Sequence, residues 1–154
     1  MMNKGNPSRM GFGTRRQGAP GGAAVQTVPV RVLAVDDEAT ARAAIEETLA
    51  REGYDVQTVS CYQDWEQAWA RGPRPNLIIL DINLAERRGG YEILRVLRKQ
   101  NASIPVLMLS ARNTAADAAF AEANGAGAFV SKAEGEFGHA TRGLVATVRR
   151  LLIA

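Results

Sequence analysis

Five polar residues stand where their side chains could combine into one chemical site: Asp36, Asp37, Asp81, Ser110 and Lys132. They end short apolar runs, which read VRVLAVDD over 30–37, LIILD over 77–81, VLMLS over 106–110 and AFVSK over 128–132. Continuous Val, Ile and Leu runs bounded by turn residues are typical of strands buried on both faces in a parallel sheet. Because the carboxyl ends of such strands line one crevice, we expect three carboxylates, a hydroxyl and an ammonium in one pocket.

The three carboxylates favour a metal ion. Two adjacent carboxylates, Asp36 and Asp37, opposite a third one, Asp81, repel each other strongly unless a cation lies between them. Hard oxygen ligands in an open, partly hydrated site suit Mg²⁺, which takes one or two carboxylates together with waters and a phosphate. The alternative for Asp37 is that it caps the helix that follows it.

Asp81 ends the most apolar run, where a carboxylate is costly unless it has a task. It can act as a nucleophile toward phosphorus and become an aspartyl phosphate. The added phosphoryl oxygens then need compensation by Mg²⁺, an ammonium and a hydroxyl, of which Lys132 and Ser110 supply the last two. Taken singly, Ser110 could instead be a strand-end cap and Lys132 a solvated lysine.

The elements that must position these residues alternate along the chain. The patterns predict strands at 30–36, 54–60, 77–81, 105–110 and 127–131. They predict helices near 38–52, 62–71, 90–100, 114–124 and 136–152. Strand–helix units that repeat in this way predict an α/β fold, a doubly wound parallel sheet with right-handed crossovers.

Two further features are predicted to be structural. Trp65 and Trp69 lie four residues apart on one helix face, a spacing more typical of core or groove packing than of a cofactor site. Cys61 is the single cysteine, which excludes an internal disulfide, and it is most simply a packing residue.

The charge is uneven along the 154 residues, which are enough for one domain and carry a formal net charge of +3. Residues 1–29 hold four basic side chains and no acid: Lys4, Arg9, Arg15 and Arg16. This Gly- and Pro-rich segment is predicted to be a disordered basic leader, with residues 30–154 forming the domain. A solvated leader is favoured over one that binds nucleic acid or acidic lipid.

Membrane insertion and secretion are not expected. The sequence lacks the run of about 20 apolar residues that a membrane helix needs. Its N-terminus also lacks the apolar core of a secretory signal. The protein is therefore predicted to be cytoplasmic.

The chain from about residue 30 to 152 resembles the receiver domain of bacterial two-component response regulators. The matching residues are VDDE at 35–38, LIILDINL at 77–84, Gly89, LSA at 109–111 and GAFVSK at 127–132. The resemblance implies a flavodoxin-like (βα)5 fold, with strand order 2-1-3-4-5.

The resemblance also implies a role for each site residue in a phosphorelay. Asp81 would accept a phosphoryl group from a partner histidine kinase or histidine phosphotransfer protein, and Ser110 and Lys132 would contact that group. Asp37 and Asp81 would bind Mg²⁺ directly together with the backbone carbonyl of Asn83, and Asp36 would help to hold the ion through water. Phe129 stands at the family's switch position, where its ring would reshape the surface of the fourth helix, fifth strand and fifth helix. That surface would bind a downstream protein target or a second copy of the chain.

The rim of the predicted site departs from the family's usual pattern. Ala85 and Ala133 stand where proline is usual, and Arg87 and Arg88 add positive charge to the loop beside the site. Arg112 and Asn83 flank the phosphoryl site and are expected to tune its lifetime. These residues affect the expected switching details and partner choice, whereas no group needed for phosphoryl acceptance is missing.

Two other functions remain as alternatives to a self-phosphorylating and self-dephosphorylating signalling module that is not a turnover enzyme. A Mg²⁺-dependent aspartyl phosphatase or phosphotransferase usually has an acidic residue two positions past its nucleophile, where this chain has Asn83. An adaptor that uses the receiver fold without phosphorylation would have lost an acidic residue or the lysine, and all are present. The chain is expected to be a stand-alone receiver or a piece of a longer protein, and direct DNA binding is not expected.

Overall fold

The apolar runs form strands, and the segments between them form helices. The strands are β1 Arg31–Val35, β2 Asp55–Val59, β3 Leu77–Asp81, β4 Val106–Ser110 and β5 Ala128–Ser131. The helices are α1 Ala39–Arg51, α2 Tyr62–Arg71, α3 Gly90–Lys99, α4 Ala115–Ala123 and α5 Phe137–Ile153. All ten predicted elements are confirmed, with bounds that differ by at most one residue at either end.

The computed structural model describes residues 27–85, 89–100, 102–111, 114–132 and 137–154, and only the backbone for 137–142. The predicted leader, residues 1–29, therefore lies outside the described residues except for its last three. The rim residues Arg87, Arg88, Arg112 and Ala133 also lie outside them.

The five strands form one parallel sheet in the order β2-β1-β3-β4-β5. This order confirms the predicted doubly wound α/β fold and the flavodoxin-like arrangement. The strand order reverses at β1, which lies between β2 and β3, and the carboxyl ends of β1 and β3 border the resulting crevice. Asp36 follows β1 and Asp81 ends β3, so both residues lie at this crevice.

The sheet separates two apolar layers because successive strand residues point to opposite faces. Leu33, Val35, Ile78 and Leu80 pack on one face with residues of α2, α3 and α4. The residues between them along the strands pack on the other face with α1 and α5. Burial on both faces explains why the central strands read as uninterrupted apolar runs.

The tryptophan pair of α2 lies in the first of these layers. The Trp65 and Trp69 rings stack with their centroids 6.2 Å apart, and both side chains are buried. The Trp69 indole N–H donates to Gln100 Oε1 at 3.0 Å, next to the end of α3. The prediction that these residues pack in the core is confirmed.

Cys61, predicted to be a packing residue, caps a helix in the structure. It is the N-cap of α2, and its sulfur accepts a hydrogen bond from the backbone N–H of Asp64 at 3.4 Å. This bond satisfies one of the free N–H groups of the first helical turn. Residue type alone does not indicate such a cap, because Ser, Thr, Asp and Asn are the residues preferred at this position.

None of the helices in the described part of the chain is long and apolar enough to cross a membrane.

Candidate functional site

Three carboxylates meet at the carboxyl end of β1 and β3. Single carboxylate oxygens of Asp36, Asp37 and Asp81 all lie within 4.8 Å of one another. Asp36 and Asp81 are almost fully buried, at 0% and 4% exposed, whereas Asp37 is exposed. The predicted convergence of these side chains is therefore present in the structure, with the two buried acids beneath an exposed one.

Asp36 is held by contacts to its backbone and its side chain. Its N–H donates to the carbonyl of Val59 at 3.1 Å, which continues the pairing of β1 with β2. Its Oδ1 accepts the backbone N–H of Glu38 at 3.0 Å, and its carbonyl accepts Arg42 Nη1 at 2.8 Å. The backbone and the carboxylate of this residue thus both have a fixed direction.

Asp37 does not cap α1, so the capping alternative is wrong. The N-cap is Glu38, which makes no side-chain capping bond. The backbone N–H of Glu38 donates instead to the side chain of Asp36, two residues earlier, so the Asp37 carboxylate does not cap the helix.

Lys132 reaches into the carboxylate cluster from the end of β5. Its Nζ lies 2.5 Å from Asp36 Oδ2 and 3.1 Å from Asp81 Oδ2, and its side chain is only 12% exposed. Its backbone N–H donates to the carbonyl of Ser110 at 2.7 Å, which extends the pairing of β4 with β5 by one residue. The alternative of a solvated lysine is therefore wrong.

The cluster shifts the proton affinity of its members. Burial and the nearby charge of Asp36 raise the pKa of Asp81 to about 6, against the opposing effect of Lys132. Burial acts to lower the pKa of Lys132, but its bond to Asp36 and the charges of both carboxylates outweigh this and raise it. Among the described residues, one ammonium thus contacts two of three neighbouring carboxyl groups and compensates only part of their negative charge.

The loop after Asp81 turns tightly around its side chain. The backbone N–H of Asn83 donates to Asp81 Oδ1 at 3.1 Å, and Asn83 itself is exposed. The start of α3 packs closely against the end of β3: a Cβ on Gly90 would lie 2.3 Å from the Asp81 carbonyl oxygen. A side chain at position 90 would therefore displace the backbone that carries Asp81.

Ser110 and Phe129 lie on the neighbouring strands. Ser110 is buried at the end of β4, opposite Ser131 of β5. Phe129 is half-buried, pairs in register with Met108 and packs on the face that also holds α4. The predicted site residues thus lie at the carboxyl end of the sheet, except Phe129, which lies within β5.

The residues present fit a magnesium ion. In the part of the chain that the structure describes, three carboxylates so close together contact one ammonium, and they form a set of hard oxygen donors with a surplus of negative charge. One exposed and two buried acids match the preference of Mg²⁺ for a few carboxylates with room for waters.

Arg42 is the contact at this site that sequence reasoning missed. It lies six residues after Asp36 and reaches back to its carbonyl from the first turn of α1. An arginine on an amphipathic helix is typically solvated. Every residue carries a backbone carbonyl, so the sequence does not indicate which one accepts a hydrogen bond from an arginine. The one available signal was its position one turn after Glu38, from which its side chain could reach the loop.

Comparison with known proteins agrees with this architecture. The family model of the response regulator receiver domain matches residues 32–137. The alkaline phosphatase synthesis transcriptional regulatory protein SphR of Synechococcus elongatus is 35% identical over 130 residues, covering 79% of this chain and 48% of its own length. PhoP of Bacillus subtilis, with the same descriptive name, is 36% identical over 104 residues, covering 66% of this chain and 42% of its own. The chain thus spans less than half the length of these relatives.

Solved structures agree with the sequence comparison. The chemotaxis protein CheY4 of Vibrio cholerae superposes with a TM-score of 0.69 at 27% identity, covering 81% of this chain and 100% of that one. NtrX of Brucella abortus superposes with a TM-score of 0.72 at 28% identity, covering 82% of this chain and 27% of that one. Strand order, acidic cluster and sequence match together identify this chain as a member of the response regulator receiver domain family of two-component systems.

Proposed function

We propose that this chain is a phosphoacceptor whose Asp81 is phosphorylated in a Mg²⁺-dependent step by a histidine kinase or a histidine phosphotransfer protein. Membership of the receiver family supports this reaction class. The observation that carries the assignment to Asp81 is its position: a nearly buried carboxylate contacted by Lys132 and adjoining two further acids. The proposed division of the chain is a leader over residues 1–29 and a receiver domain over 30–154.

The proposed step is a transfer between two nucleophiles. An Asp81 oxygen attacks phosphorus and forms a P–O bond while the P–N bond to the donor imidazole breaks, and the imidazole keeps the bonding pair. Asp81 must be ionised to attack, and with its pKa raised to about 6 it is largely ionised at neutral pH. Mg²⁺ held by Asp37, Asp81 and the Asn83 carbonyl, with Asp36 helping through water, would supply further positive charge for the phosphoryl oxygens.

Two side chains of this site are suited to recognise the product. Lys132 already lies 3.1 Å from Asp81 Oδ2, so its ammonium can pair with a phosphoryl group on that residue. Ser110, buried at the end of the adjacent strand β4, would donate its hydroxyl to the same group. In this proposal, their movement toward the phosphoryl group draws Phe129 inward and shifts the population of the α4-β5-α5 surface.

The alternatives fit this site less well. Asn83 offers an amide two positions past Asp81, so the general acid or base that a phosphatase needs is missing there. An adaptor that works without phosphorylation has no use for a partly buried lysine that bridges two buried acids, an arrangement that is costly to maintain. We therefore propose a signalling module in the cytoplasm rather than a turnover enzyme.

The proposed output is protein contact through α4-β5-α5, with a downstream target or a second copy of this chain. SphR and PhoP are transcriptional regulatory proteins by name, and the match to this chain covers less than half of either protein. DNA binding is therefore proposed for this chain only as part of a longer protein.

The test is incubation with Mg²⁺ and acetyl phosphate. An acid-stable, base-labile adduct is expected on Asp81, abolished by Asp81→Asn and by chelation of the metal. Asp55→Asn is the matched control, because Asp55 is an exposed acid that pairs with Arg31 at 3.2 Å away from the site. It should be modified like the unaltered chain, whereas a normal adduct on the Asp81→Asn protein would rule out the assignment.

A further inference from the structure

Asp37 differs from the other two acids in how its direction is fixed. Asp36 is held through both carboxylate oxygens, and Asp81 through contacts to Lys132 and Asn83. The exposed Asp37 carboxylate makes no hydrogen bond or ion pair with any other described residue. Among the described residues, the direction of its Cα–Cβ bond is therefore set by the backbone alone, which includes the peptide unit that joins Asp36 to Asp37.

One side chain holds that peptide unit. Arg42 Nη1 donates to the carbonyl oxygen of Asp36 at 2.8 Å, in a half-buried contact that spans the loop between β1 and α1. The backbone of Arg42 is itself fixed, because its N–H donates a hydrogen bond to the carbonyl of Glu38 at 3.0 Å. Rotation of the peptide unit between Asp36 and Asp37 would break the guanidinium contact.

We propose that Arg42 is a positioning residue of the acidic cluster, which orients the Asp36–Asp37 peptide and so points the Asp37 carboxylate at the metal site. The inference rests on the proposed function, because it assumes that the three acids bind Mg²⁺. It adds a residue from α1 to a site otherwise built from strand ends and the loops that follow them.

The guanidinium of Arg42 has two opposite effects on a cation site. Their signs distinguish a purely electrostatic role of Arg42 from a positioning role. Its positive charge repels Mg²⁺, so loss of the charge alone would tighten binding. Its hydrogen bond orients a ligand, so loss of the bond weakens binding, as with other groups that orient metal ligands. Positioning therefore predicts weaker Mg²⁺ binding when Arg42 is removed, although a positive charge is lost.

The experiment measures the dissociation constant of Mg²⁺ from its stabilisation of the full chain against thermal unfolding, at constant ionic strength. Arg42→Met is expected to weaken binding about tenfold. Arg42→Lys, which keeps a donor and the charge, should lie closer to the unaltered chain. Arg51→Met is the control: this arginine ends α1 and pairs with Glu47, at 2.5 Å, away from the acids.

A double-mutant cycle with Asp37→Asn tests whether Arg42 acts through Asp37. In that background the effect of Arg42→Met on Mg²⁺ binding should shrink below about twofold. The effects of two substitutions are not additive when one residue acts through the other. An undiminished effect would indicate general loosening of the loop and overturn the inference, as would tighter binding by Arg42→Met alone. If the unaltered chain is not stabilised by Mg²⁺, the proposed function fails first, and the role of Arg42 fails with it.

Discussion

Two partly buried cations lie at opposite ends of the sheet and are compensated in different ways. At the carboxyl end, Lys132 faces the carboxylates of Asp36 and Asp81, which raise its pKa although burial acts to lower it. At the amino end, Arg98 donates to the carbonyls of Ala102, Ile104 and Gly125, at distances between 2.6 and 3.1 Å. Among the described residues no acid pairs with it there, and burial lowers its pKa.

The comparison separates a structural contact from a responsive one. The bonds of Arg98 tie the end of α3 to the segments that lead into β4 and β5. Their acceptors are neutral carbonyls, so this contact has no negative charge that would attract a cationic ligand. Within the described residues, the cluster around Lys132 brings three acids together with one contacting ammonium, so a further cation or a phosphoryl group changes its charge balance. The stability of variants at these two ends should therefore respond differently to Mg²⁺ and pH.

The largest effect is expected from Lys132→Met in the absence of metal. Removing the ammonium leaves two buried carboxylates uncompensated, which should lower the free energy of unfolding by about 3–5 kcal/mol at neutral pH. Added Mg²⁺ should recover part of this loss, because it binds the folded cluster. Urea denaturation with chelator and with Mg²⁺ measures both, and Lys99→Met, at an exposed lysine, is the control. A loss as small as that of the control would mean that Lys132 does not compensate the acids.

A smaller effect, without response to Mg²⁺, is expected from Arg98→Met. It leaves three backbone carbonyls with fewer donors, which should cost about 2–3 kcal/mol, because Arg98 is only half-buried and water replaces part of what is lost. The same denaturation series measures it. Arg95→Met, which removes a loose exposed pair with Glu92 at 3.9 Å, should cost less than about 0.5 kcal/mol. Recovery of the Arg98 variant by Mg²⁺ would contradict the distinction between the two ends.

The smallest effect is expected from Asp81→Asn, and it has the opposite sign. The folded chain raises the pKa of Asp81 from 3.8 to about 6, so the protonated acid is favoured by folding and its contribution is lost as the pH rises through about 6. An uncharged asparagine avoids this penalty. After allowance for the weakened contact to Lys132, the variant should be more stable by about 1–2 kcal/mol at pH 7.5 without metal.

That advantage of Asp81→Asn should fade as the pH falls through about 6 toward 3.8, where the native acid becomes protonated in both states. Thermal unfolding over this range with chelator present measures it. Asp55→Asn again serves as control, because that acid lies outside the cluster. An advantage that grew on acidification would show that burial of Asp81 does not favour its protonated form.

Sequence reasoning found the strand-end residues because apolar runs mark strands and parallel strands bring their carboxyl ends together. It also placed Trp65 and Trp69 in the core from their spacing. It did not find Arg42 or Arg98, whose bonds end on backbone carbonyls that every residue carries alike. Nor did it find the thiol cap of Cys61, because the rarely used sulfur acceptor gives no composition signal. The convergence of the strand-end side chains could be predicted, and the bonds that Arg42, Arg98 and Cys61 make with the backbone could not.

The stacked indoles of α2 determine what optical spectroscopy of this protein reports. They are the two tryptophans of the chain, both lie in the layer between the sheet and α2–α3, and their rings are inclined by only 18°. Coupled chromophores in such a rigid setting give a near-ultraviolet circular dichroism signal that disappears when packing is lost. Neither belongs to the acidic cluster, so intrinsic fluorescence follows global unfolding, and occupancy of the cluster needs a separate reporter.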